Sequence, residues 1–361
     1  MCATTFAETL QSSVSALKGL LIILVIMDHN DLVRAVAPAL FKPLTFHVLG
    51  FLILPFLVPV KPIDRYFFRD RLIRYLVPFW WVLTFTSVMY ALLFHSGDDL
   101  GTVITHWLAA ITIGSASLVK TSSGFYYLWF LPCLAGLVMA LSIFQSLKQP
   151  WQYAVTSVTV LGHVCITAFP EILLRYVPFG LLIVVWVFPL GLLMRWAVHR
   201  PAIFHGRYVI LGTFLCSYGY LVFLSLNVEI MTLQLYPLAE PLLFLTQDLS
   251  AFCGVLVAMW IAPRIGALRI VNLLGKHSLM VYLLHPLVFF LGYKLLGAAN
   301  WNLDFYPLLV AALLSVALTA LISVALASAI AHTPLTRTWL TPKDWNDWGP
   351  VRLAARWSGR Y

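Results

Sequence analysis

Long apolar runs, interrupted only by short polar or basic connections, order this chain from one end to the other. A helix rises about 1.5 Å per residue, so a run of about 20 apolar residues matches the hydrocarbon thickness of a bilayer. The pattern predicts spans at about 14–33, 44–60, 75–95, 125–146, 151–170, 179–196, 208–226, 237–261, 278–296 and 307–331. Runs of this length satisfy their own backbone as helices, whereas a barrel would need shorter, alternating strands. Residues 96–124 are the longest predicted outer connection. Their 103–113 portion, with His106 and Trp107, is too short to span and reads as interfacial or re-entrant. The expected fold is an all-α polytopic membrane protein with about ten transmembrane helices. Residues 1–13 form a cytoplasmic N-terminal segment, 14–331 the transmembrane domain, and 332–361 a basic, Trp-rich cytoplasmic tail. The first run resembles a signal peptide, but Asp28, His29 and Asp31 follow its apolar core and Pro38 follows the small residues 35–37, so a retained helix is expected.

Composition agrees. The 361 residues are 61% hydrophobic and 10% charged, with a mean hydropathy of +0.90, too little polar surface for a soluble chain. Charge supplies the orientation. With the N-terminus in the cytoplasm, most of the 23 basic residues fall in inner connections or the tail, among them Lys61, Lys148, Arg200 and Arg264. Asp98, Asp99, Glu171, Glu229 and Asp304 fall in outer ones. This bias predicts that both termini are cytoplasmic. The net charge of +9 is then accounted for by this rule and by anionic lipid in the bilayer, and calls for no nucleic-acid partner. The five cysteines form no CxxC pair and read as small buried hydrophobes, and the ten histidines show no metal-ligand spacing, so no metal is expected.

Ionisable groups inside a span are costly and point to function by default. Lys18 and His29 close the two ends of the first apolar run. Their spacing returns a helix to nearly the same face, about 16 Å further along the axis. His29 has the chemistry of a general base, or it is a headgroup contact. Asp28 points about 100° away from it on a helix, so its orienting partner is Asp28, Asp31 or a residue of another helix. Lys18 alone is also readable as a snorkelling anchor. Ser278, Tyr282 and His285 recur at i, i+4 and i+7, a polar stripe facing either the bundle interior, a wet cavity or a hydrogen-bonding neighbour. Glu240 and Asp248 are further intramembrane candidates, as acid/base groups or as structural partners. Before the third span, Arg65 and Arg69 share one helix face, and Arg71 and Arg74 another. Guanidinium groups grip phosphates with forked geometry, so the cluster is either a clamp for a polyphosphate or a positive-inside anchor.

Four segments stand in order across residues 15–290. The first is Lys18, Gly19 and, eleven positions after the base, His29. The second is 71–79 (RLIRYLVPF), the third 128–131 (LWFL), and the fourth 275–286 (GKHSLMVYLLHP). Together they resemble the acyltransferase-3 family of integral-membrane O-acyltransferases, particularly its fucose 4-O-acetylase-like and exopolysaccharide acetyltransferase branch. Lys18 stands where many members carry arginine.

The resemblance implies transfer of an acetyl group from acetyl-CoA, a substrate rather than a bound cofactor, to a sugar hydroxyl. The acceptor would be an exopolysaccharide or surface glycan, lipid-linked, at a bacterial inner membrane. On that reading His29, with Asp28, performs the base chemistry. Lys18, Arg65, Arg69, Arg71 and Arg74 bind acyl-CoA, while Trp129, Tyr282, Ser278, His285, Glu240 and Asp248 line the substrate cavity. The alternative is a transporter or flippase of a lipid-linked saccharide or acyl group, which uses similar intramembrane charge and broken helices.

Overall fold

The computed structural model describes residues 3–37, 46–58, 63, 66–94, 100–113, 116–169, 179–200, 206–226, 236–296 and 304–357. Among these residues every regular element is helical. In chain order they are α1 (Ala3–Asp28), α2 (Asp31–Val36), α3 (Phe46–Leu57), α4 (Phe67–Phe94), α5 (Leu100–Ile113), α6 (Ala116–Ser123) and a 3-10 turn (Tyr126–Trp129). There follow α7 (Phe130–Ser146), α8 (Gln149–Ala168), α9 (Phe179–Val198), α10 (Arg207–Leu226), α11 (Tyr236–Ile265) and α12 (Arg269–Lys276). The last four are α13 (Ser278–Leu296), α14 (Phe305–His332), α15 (Pro334–Leu340) and α16 (Gly349–Trp357).

Five of the described helices are long and apolar enough to cross a membrane: those over Phe67–Leu92, Gly180–Val198, Arg207–Leu224, Leu242–Ile265 and Phe305–His332. A sixth candidate is the pair α12 and α13, bent by 94° at His277. α3 and α7 are shorter apolar helices. The fold is thus an all-α membrane protein.

The chain divides into two compact units. The first comprises Met1–Pro59, Thr159–Ile172 and Trp186–Ala325. Its axis is α1, which packs against α12, α11, α3 and α13. Leu17, Leu21, Ile22, Val25 and Ile26 of α1 are all fully buried. They point in several directions, which explains why this run shows no clean polar face. Facing them lie Leu52 and Ile53 of α3 and Val255, Met259 and Ala262 of α11, equally buried.

Glycine sets the closest approach in this unit. A side-chain carbon added at Gly19 would collide with the backbone carbonyl of Val271, and one at Gly275 with the carbonyl of Ser15. α1 and α12 therefore touch backbone to backbone, the mode small residues permit between membrane helices.

The second unit comprises Val60–Val158, Leu173–Val185 and Leu326–Tyr361. Here α4 packs against α5, α6 and α7. The 96–124 connection, with its 103–113 portion expected to be interfacial or re-entrant, contains two helices, α5 and α6, that pack on α4. Trp107 Nε1 donates to Thr84 Oγ1 at 3.0 Å, and the Ser87 and Ser122 hydroxyls meet at 2.7 Å. Gly124 ends α6 at φ +76° against the ring of Tyr90, a backbone state glycine adopts without penalty. The tail also folds back on this unit. The Trp345 amide donates to Asp70 Oδ1 at 3.2 Å, and Asp347 holds Arg337 at 3.3 Å and Arg352 at 3.1 Å. Trp345 of the Trp-rich tail is thus packed on the start of α4.

Candidate active site

The first predicted span is not continuous. α1 ends at Asp28, and His29 still donates its backbone N–H to Val25 at 3.1 Å. Asn30 is fully buried and caps α2: its Oδ1 accepts from the amides of Leu32 at 2.9 Å and Val33 at 3.3 Å. Its Nδ2 donates to Ser315 Oγ of α14 at 3.0 Å. A buried asparagine with these partners fixes the break immediately after His29. It gives the imidazole a defined exit from the end of α1.

That imidazole meets His285 of α13. His29 Nδ1 lies 3.1 Å from His285 Nε2, and the rings are 5.2 Å apart and 27° from coplanar. His285 has no exposed surface, and its Nδ1 donates to the Val281 carbonyl one turn earlier at 3.2 Å. Tyr282 and Phe289 stand edge-on to it, at 5.9 and 6.1 Å between centroids. The stripe read from the sequence therefore turns inward at Tyr282 and His285, both buried, while Ser278 at the start of α13 is half-buried.

The first and fourth segments of the sequence thus meet twice. Gly19 and Gly275 touch at one level, and His29 and His285 at another, with the same ten-residue separation in each segment, which is about 15 Å of helix along α1. Lys18, half-buried, precedes the lower contact.

Asp28 turns its carboxylate elsewhere. Oδ2 is 3.5 Å from Nε2 of the fully buried His47, long for a hydrogen bond, and Oδ1 is 3.4 Å from Arg34. It ties α1 to α2 and α3.

Asp248 of α11 is buried in a second polar cluster. Its Oδ1 accepts from Trp186 Nε1 at 2.9 Å, and its Oδ2 lies 2.9 Å from His163 Nε2. His163 Nδ1 in turn lies 2.8 Å from the Trp186 carbonyl. Three helices, α8, α9 and α11, are joined there. His47, His163, Trp186 and Asn30 were not singled out from the sequence. For His163 a signal existed: an ionisable side chain inside one apolar run and a carboxylate inside another call for a partner. The side chain of Glu240 and the whole of Arg65 lie outside the described residues.

Trp129 and the remaining arginines belong to the second unit. Arg69 is committed there, its guanidinium 3.3 Å from Asp70, 4.4 Å from the Tyr66 ring centre and 5.4 Å from that of Trp345. Arg71 is half-buried over Phe67, Arg74 is exposed, and among the described residues neither makes an ion pair. Trp129 is half-buried ahead of α7, edge-on to Phe130 at 6.3 Å.

A family model described as an acyltransferase domain matches residues 11–328. The chain belongs to the acyltransferase-3 family. The matched stretch of this acyltransferase runs from α1 almost to the end of α14, so it contains both His29 and His285. It is a multi-pass membrane acyltransferase. No curated protein and no solved structure matches the chain.

Proposed function

We propose that this acyltransferase moves an acetyl group from acetyl-CoA to a sugar hydroxyl of a lipid-linked exopolysaccharide or surface glycan. The setting is a bacterial inner membrane, with about ten helices and both termini cytoplasmic. The observation that carries the reading is the imidazole of His29, placed between the end of α1 and the Asn30-capped start of α2 and hydrogen-bonded to the buried His285, inside the stretch that the acyltransferase family model matches.

In the reaction His29 takes the proton of the sugar hydroxyl. The oxygen attacks the thioester carbon, the C–S bond breaks, and the departing thiolate recovers the proton from the imidazolium. No proton is gained or lost overall, and none of the groups must leave the site charged. Arg71 and Arg74 grip the phosphates of CoA, a task for which their forked donors are suited, and Lys18 meets the donor from α1. Arg65 belongs to the same cluster by sequence. Arg69, engaged by Asp70 and two aromatic rings, contributes by shaping the start of α4.

O-acetyl content of the host's surface glycans, measured by mass spectrometry in a deletion strain, tests this reading. Complementation with wild type should restore acetylation. His29→Ala at matched membrane level should not, losing at least the 10²-fold that a general base contributes. Full restoration by His29→Ala would sink the assignment. Glycan acetylation unaffected by the deletion would favour transport of a saccharide or acyl group instead.

A further inference from the structure

We infer that His285 is a positioning residue that selects the tautomer of His29, a role that rests on His29 being the base. Donors and acceptors along a short chain of atoms fix the role. The Val281 carbonyl can only accept, so His285 Nδ1, at 3.2 Å from it, carries the hydrogen. In a neutral imidazole the other nitrogen then bears the lone pair. His285 Nε2 is accordingly an acceptor, and the atom 3.1 Å from it, His29 Nδ1, is the donor. His29 therefore carries its hydrogen on Nδ1 and its basic lone pair on Nε2.

The direction of this relay is imposed from the protein interior. Val281 and His285 lie one turn apart on the same face of α13, both fully buried, so no water competes for the carbonyl at one end. The aromatic rings of Tyr282 and Phe289 stand edge-on beside the His285 ring. Asp28, the nearest carboxylate in sequence, is directed to His47 and Arg34. The break at Asn30 then fixes the backbone from which the His29 ring projects.

The consequence for the reaction is specific. When His29 Nε2 takes the sugar proton, the imidazolium keeps its Nδ1–H bond to His285, which stabilises the charge without accepting the proton. The proton then leaves from the same Nε2 to the thiolate. With the opposite tautomer, the lone pair would sit on Nδ1, against His285, and Nε2 could not act as a base. His285 need never touch substrate to control the rate.

The test uses the full-length protein in detergent or nanodiscs with acetyl-CoA and its glycan acceptor. His285→Leu should lower kcat by about 10–100-fold, the usual cost of losing a group that orients another, with KM for acetyl-CoA unchanged. His285→Gln, whose side-chain oxygen can accept from His29 Nδ1, should recover most of that loss. In 15N-histidine spectra, with the His29 signals identified by their absence in His29→Ala, wild type should show a protonated Nδ1 and an unprotonated Nε2. His285→Leu should shift the population toward Nε2–H. Wild-type kcat in a folded His285→Leu variant, or an Nε2–H tautomer of His29 in the wild type, would overturn the inference. Should the leucine variant not fold, the wild-type spectrum and the glutamine variant decide. Failure of the base assignment is a separate outcome: it appears as turnover in His29→Ala, whatever tautomer the spectrum reports.

Discussion

Buried polar side chains in this protein act by the number of partners they satisfy, and Asp248 gives a measurable instance. Its Oδ1 accepts from Trp186 Nε1 and its Oδ2 lies 2.9 Å from His163 Nε2, so removing His163 keeps the Trp186 bond while removing Asp248 loses both contacts. Interhelical hydrogen bonds in membranes are worth about 0.6 kcal/mol on average and up to about 1.7. Removing one member of a buried charged pair costs up to about 3–5 kcal/mol. His163→Ala should therefore fall near the lower range, at about 1–2 kcal/mol, and Asp248→Ala above it, at about 2–4. The double variant should cost less than the sum. Thermal unfolding of the purified protein in one detergent checks the order; equal losses for the two single variants would mean that the Trp186 bond contributes nothing. Sequence reasoning found Asp248 because a carboxylate in an apolar run stands out. It did not find His163 and Trp186, since pairing between residues more than 60 positions apart has no local signature. The same limit applied to His29 and His285: both were visible as inward groups, and their contact was not.

Elements show the opposite balance. Most helices were legible because an apolar run of membrane length leaves little freedom in its secondary structure; α13 begins and ends where the pattern placed it, at Ser278–Leu296. The departure lies in the first span, where Asn30 and Asp31 end one helix and start another. The cue was present, an N-cap asparagine followed by an acidic residue, but the apolar run beyond it masked the break. Glycines raise the harder question, because Gly19, Gly275 and Gly292 look alike in the sequence and differ in space. A side chain at Gly275 collides with the backbone of Ser15, while one at Gly292 meets nothing within 4 Å. Gly275→Val should cost at least about 1–3 kcal/mol through overpacking, and should reduce transfer as well, since α13 follows α12 directly and bears His285. Gly292→Ala should be neutral or stabilising by about 0.5–1 kcal/mol, the helical penalty of glycine being relieved. Melting temperature and turnover of the two variants, measured side by side, give the check; a harmless Gly275→Val would mean that α1 and α12 are not held in backbone contact.

At the scale of the whole molecule, the distribution of basic residues joins topology to chemistry. On the proposed function the donor is cytoplasmic CoA, which Arg71 and Arg74 could bind only if the start of α4 faces the cytoplasm. The tail is tied to that same end: Trp345 binds Asp70 and stacks on Arg69, and Asp347 gathers Arg337 and Arg352. Whatever side the tail occupies, the arginine cluster occupies too, because the two are in contact within one unit. This makes the orientation of the donor site a question about the C-terminus, which can be tagged without touching either. A green fluorescent protein fused after Tyr361 should fluoresce, and alkaline phosphatase fused there should be inactive, as expected for a cytoplasmic end under the positive-inside rule. An active phosphatase would place Arg71 and Arg74 outside, away from any CoA pool. It would remove the donor assignment while leaving the His29–His285 pair, which belongs to the other unit, untouched.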